Sequence, residues 1–154
     1  MSSYEEMLAN DFIIGEGAWD QATAIELGEA LKKYGESLPK PIAIAVVFDE
    51  QRIYQVGLPG TSKNNDEWIG RKINTVDMTH HSTLALRVKA DSMGVTEEDM
   101  GFKSGHLAVC GGGFPLYTNG TFVGAAIVSG LPHMEDHEIL VDVITAFKQS
   151  KGWN

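Results

Sequence analysis

The chain has 154 residues, 43% of them hydrophobic, with 12 Lys+Arg against 21 Asp+Glu, a net charge of −9 and a single cysteine, Cys110. One domain spanning 1–154 would bury roughly 70% of its unfolded surface, enough for a full core. The acidic balance, with a pI near 4.9, excludes nucleic acid and anionic membranes as partners, and a lone cysteine excludes an intrachain disulfide or a CxxC metal motif.

The N-terminal MSSYEEMLANDF lacks the basic and apolar regions of a signal peptide. The longest apolar runs, 42–48 and 123–128, are too short to span a bilayer, so a cytoplasmic location is expected. A first helix is predicted over about 20–34, with Asp20 as its N-cap and Ile25, Gly28 and Leu31 along one face. Gly35 stops it. Pro39 and Pro41 then lead into IAIAVVF, a continuous apolar run that reads as a strand buried on both faces. Asp49-Glu50-Gln51 turns the chain into a partner strand over 52–57.

After the polar loop LPGTSKNN, one long helix is predicted over about 66–93. Trp68, Ile69, Ile73 and Val76 form its early apolar stripe, Leu84, Leu86 and Val88 its late one, and Gly94 ends it. Thr96 caps a helical turn, and 106–109 reads as a short strand. Strands over 114–118 and 121–129 pair through Asn119-Gly120, since a type I′ turn needs positive φ at both positions. A last helix over about 135–148 carries Ile139, Leu140, Val143, Ile144 and Phe147 on one face. Hairpins predominate, so the fold class is α+β, with helices packed on an antiparallel sheet.

Polar groups gather in two places. His133 and His137 stand four apart beside Glu135 and Asp136, the spacing of a shared metal; first-turn acids at a helix start explain the same residues as helix capping. Gly111-Gly112-Gly113 suits either a tight corner or a backbone that closely faces a ligand, and its spacing is not that of a nucleotide loop. On the long helix, Arg71, Lys72 and Asn74 precede His81 and Ser82, and a cation there suits a ligand carboxylate or a salt bridge to one of the acids. Cys110, after Ala108 and Val109, reads as a buried structural cysteine. Ser129 lacks the elbow of a hydrolase nucleophile. Trp19, Trp68 and Trp153 are assigned to core or interface.

Three motifs carry a family resemblance: PIAIAVVF after a helix, WIGRKINTV followed by HHS, and GGGFPLYTNGTFVGAAIVSGLPHMEDHEILVDVI. Together they resemble the GlcG/HbpS-like haem-degrading-domain family, and its small single-domain branch catalogued as an uncharacterised protein family. The resemblance covers roughly 21–147. It implies a profilin-like antiparallel sheet of about five strands flanked by helices, and homo-oligomers of dimers or larger. It implies haem or another tetrapyrrole as ligand, with an imidazole of His81 or His137 on the iron and Arg71 or Lys72 on a propionate. The expected binding set is Arg71, Lys72, Asn74, His81, Ser82, Gly111, Gly112, Gly113, Ser129, Asp136 and His137. Relatives often carry a histidine at the position of Cys110. Two other readings stand beside this one: an assembly or adaptor protein without catalysis, and a metal-assisted enzyme using His133, Asp136 and His137.

Overall fold

The computed structural model describes residues 4–14, 17–101 and 105–153. Its frame is a four-stranded antiparallel sheet in the order β2-β1-β4-β3, with β1 Ala43–Phe48, β2 Gln51–Gly57, β3 Gly113–Thr118 and β4 Thr121–Ser129. β1 lies centrally, and alternation splits its side chains cleanly. Ile42, Ile44 and Val46 face a core with α2 (Gln21–Glu36) and α5 (His133–Ser150); Ala43, Ala45 and Val47 face α3 (Lys63–Thr79). The sheet is therefore covered on both faces, which explains why β1 reads as an unbroken apolar run.

Both hairpins use two-residue turns with left-handed backbone. Asn119 and Gly120 adopt φ of 49° and 79°, as their types require. Asp49 and Glu50 do the same at 51° and 65° without a glycine, so Phe48 pairs directly with Gln51. Asp20 caps α2, its carboxylate accepting from Thr23 N at 2.8 Å. The buried face of α2 is Ala24, Leu27, Gly28 and Leu31; Ile25 lies off it and is 45% exposed.

Three features depart from the sequence expectation. The sheet has four strands rather than about five, because 106–109 is a loop laid on α3. Its backbone bonds side chains instead of a strand: Asn74 Nδ2 donates to His106 O at 3.0 Å, Arg71 Nε to Leu107 O at 2.9 Å, and Ala108 N to Thr75 Oγ1 at 2.8 Å. The long helix is two helices, α3 and α4 (Thr83–Met93). His80 ends α3 with φ 59°, and Ser82 caps α4 by accepting from Ala85 N at 3.1 Å. The break is held from outside. Asp11 Oδ2 meets His81 Nδ1 at 2.8 Å and accepts from Ser82 N at 3.3 Å, while Tyr117 OH donates to His80 O at 2.6 Å. Finally, α1 (Tyr4–Asn10) and a 3-10 turn over Asp11–Ile14 precede the predicted elements, with Met7 packed on Leu84 and Ala85 of α4. No helix among the described residues is long and apolar enough to cross a membrane.

Candidate functional site

Lys72 is the unusual residue of α3. It follows the helix's apolar stripe into the interior, with only 3% of its surface exposed. Its Nζ donates to Val128 O at 2.8 Å and to Asp136 Oδ2 at 3.3 Å. An ammonium has three donors, so one N–H is left for a ligand. Asp136, 2% exposed in the first turn of α5, also accepts from Leu131 N at 3.0 Å and so fastens the β4–α5 corner. Burial raises its carboxyl to about 6 even with Lys72 opposing that shift.

The glycine triplet makes room for this pair. Gly112 has φ 124°, and a Cβ there would lie 2.4 Å from Lys72 Nζ and 2.5 Å from Val128 O. A Cβ on Gly111 would lie 2.3 Å from His133 O. The backbone itself does bonding work: Gly111 N donates to His133 Nδ1 at 3.0 Å, and Gly113 N to Thr83 Oγ1 at 2.9 Å. An imidazole that accepts at Nδ1 carries its hydrogen on Nε2, and burial pushes His133 down toward this neutral form.

Above the lysine lies a cavity of about 240 Å³ lined by Asn65, Trp68, Lys72, Ser129, His133 and Asp136 among others. Asn65 serves two ends: its Oδ1 accepts from Ser62 N in the capping box of α3, and its Nδ2 donates to Ser129 Oγ at 3.4 Å. Ser129 thereby keeps its own proton to donate. Arg71 stacks over Trp68, 4.1 Å from the ring, and pairs with Glu97 at 3.9 Å. Helix α5 begins at Pro132 with no side-chain cap, so the positive end of an 18-residue helix opens on this corner. Hydroxyl, ammonium, imidazole and helix terminus are donors that suit a small oxyanion, and the Asp136 carboxylate paired with the ammonium is the acceptor beside them. Cys110 also lines the cavity. It is half-buried rather than fully buried, and burial raises its thiol.

The expected binding residues fall in three places. Lys72, Ser129 and Asp136 meet at this cavity, with Gly111 packed on His133 and Gly112 on Lys72 behind its lining, Gly113 on Thr83, and Arg71 stacked on Trp68. Arg71 and Asn74 also hold the loop before Cys110. His81 and Ser82 lie at the α3–α4 break with Asp11. Burial pushes Asp11 up to about 7 and His81 down, and the two side chains meet at 2.8 Å. His137 lies in the third place. It packs on Phe114 and borders a second cavity of about 540 Å³ with Met7, Leu84, Met134 and Val141. Burial lowers it to about 4, and its Nδ1 has no hydrogen-bond partner. Among the described residues no three His, Cys, Asp or Glu side chains are placed to hold a metal together. Sequence reasoning missed Asn65, Thr75 and Asp11. Ser62-x-x-Asn65 is a capping-box spacing and could have been found; Thr75 and Asp11 carry no local pattern.

The geometry defines an α+β domain of profilin-like architecture with a donor-rich pocket at one end of its sheet. The chain belongs to the HbpS-like haem-degrading protein family, which it matches over residues 20–145. A UPF0303 protein of Rhizobium rhizogenes is 34% identical over 128 residues, covering 82% of this chain and 79% of that one. The crystal structure of Ybr137w protein is similar at a TM-score of 0.87 and 25% identity, covering 96% of this chain and 88% of the other. A PduOC:Heme complex shares the fold at 0.70 and 19% identity, covering 85% and 95%.

The residues of one chain do not fit a haem. The Lys72 cavity is below the ~300 Å³ at which pockets for drug-sized ligands begin. The larger cavity offers the His137 imidazole but is bordered by Glu6, Glu138 and Asp142, and no described lysine or arginine lines it to receive a propionate.

Proposed function

We propose that this chain binds a compact carboxylate in the cavity over Lys72, with Ser129, Asn65 and His133 donating to it and Asp136 orienting the lysine. The observation that carries this reading is the desolvated Lys72–Asp136 pair at the floor of an open, polar cavity. A charge pair that only braced the fold could be replaced by apolar side chains at little cost, often with a gain. Here the pair fronts a space of about 240 Å³, the share of roughly eight waters at ~30 Å³ each. That volume suits a ligand of a few non-hydrogen atoms. Trp68 lines the same space and reports on it. Its fluorescence should change saturably on titration with lactate or malonate in the parent, and not in Ser129→Ala/Lys72→Arg. Absence of any change with all small carboxylates tried would defeat the reading.

The chain is also proposed to act as a homo-oligomer. In support, α2 and α5 leave a groove of about 510 Å³ with Ala30, Tyr34, Val143, Ala146 and Phe147 on its walls. A haem reading keeps one specific observation in its favour: His137 is a neutral imidazole with an unpartnered nitrogen beside the larger cavity. Family membership, and the neighbour crystallised with heme, add support. Haem there needs cations from a second copy. A Soret shift with haemin that disappears in His137→Ala tests it.

A further inference from the structure

We propose that Lys72 is a nucleophile, forming an imine with a compact 2-oxo acid or aldehyde acid bound in the cavity above it. The proposal rests on the carboxylate reading just given, and adds to it the carbonyl group and the covalent step.

Four observations point there. Lys72 Nζ is shielded from bulk water, with 4% of the side chain exposed, yet lines an open cavity. Lysines withdrawn from bulk water are the ones that serve as Schiff-base nucleophiles. Two of its donors are taken by Val128 O and Asp136 Oδ2, which fix the nitrogen at one point. Gly112, which has no Cβ to meet Lys72 Nζ or Val128 O, lets the backbone pack closely against the lysine and hold it in this place. The donors that remain, Ser129 Oγ, His133 Nε2 and the uncapped start of α5, suit a carboxylate held alongside the reacting carbon. An aldolase-type site has the same parts: an amine, a carboxyl group to carry its proton, and an anion holder.

The step balances without a further reactant. The ammonium gives a proton to Asp136 Oδ2, and the free amine forms a bond to the carbonyl carbon. The carbonyl oxygen takes the second amine proton and becomes a hydroxyl. Asp136 returns its proton to that hydroxyl, which leaves as water. The products are a protonated imine and one water, with Asp136 again a carboxylate beside the cation. Its raised carboxyl, near 6, suits a group that must hold a proton briefly and return it.

The test is reductive trapping. The full chain is incubated with pyruvate or glyoxylate and cyanoborohydride, then digested and mapped by mass spectrometry. The expected result is a reduced adduct on Lys72 at least tenfold above that on Lys63, which is 88% exposed and serves as an internal control. Lactate, lacking the carbonyl, should compete with trapping. Lys72→Arg, which keeps the charge, should lose the adduct; its circular dichroism and melting curve check the fold. Pyruvate binding seen by Trp68 fluorescence without an adduct on Lys72 would overturn the imine and leave the pocket standing. No binding and no adduct would overturn both. Equal labelling of Lys72 and Lys63 would also overturn the imine.

Discussion

At the scale of single residues, the unusual positions are polar groups taken into the interior. Gly112 is one end of that arrangement. Any Cβ would meet both the ammonium and a backbone carbonyl, and φ 124° disfavours an L side chain independently. Gly112→Ala should therefore cost about 3 kcal/mol in denaturant unfolding, combining backbone strain and overpacking. A loss under 1 kcal/mol would mean that Lys72 can move away freely. His137 gives a pH signature. Its folded value of about 4 lies below the usual 6.5, so it contributes stability above pH 6.5 that is lost as pH falls toward 4. Asp11 and Asp136 act oppositely, their raised values favouring the fold as pH falls through 7 and 6. His137→Phe should thus flatten the acid limb relative to the parent, by up to about 3 kcal/mol at pH 4. Parallel stability curves for the two proteins would count against a buried neutral His137.

At the scale of elements, the junction of α3 and α4 depends on a residue seventy positions away. Asp11→Ala leaves Ser82 N without its acceptor and His81 Nδ1 without its partner, and should destabilise the chain by about 1–3 kcal/mol. Amide exchange at the start of α4 should rise more than in α2. Uniform change across both helices would contradict a local latch. This junction also marks where sequence reasoning stops. The hairpin at Asn119-Gly120, the double-sided β1 and the face of α5 were legible because turn chemistry and periodicity are local signals. The break at His80 was not, since no glycine or proline stands between Thr79 and Thr83 and the partner that holds it comes from the N-terminal segment. The loop over 106–109 misled for a similar reason. Its apolar residues do pack inward, but on side chains of α3.

At the scale of the molecule, the two polar clusters visible in sequence do meet, though only in part. Lys72 on α3 and Asp136 on α5 lie on opposite sides of the sheet's end and join around Ser129, where β4 stops. Asn74, His81 and His137 were grouped with them by density of polar groups, a criterion that ignores which way a helix faces. The groove between α2 and α5 supports the proposed self-association, for which light scattering at micromolar concentration should give a multiple of 16.7 kDa. Tyr34→Glu, on the groove wall and 37% exposed, should shift that mass toward the monomer; a monomeric parent would contradict the expectation.

As proposed, Lys72 and its cavity form a binding site rather than a brace. Calorimetric titration of a small carboxylate into the parent and into Lys72→Met/Asp136→Asn tests it most directly. The double variant removes both charges together, so it avoids leaving a buried charge alone and should stay folded. Saturable binding to the parent is expected, with at least tenfold weaker binding to the folded variant. Equal affinities for the two would contradict it.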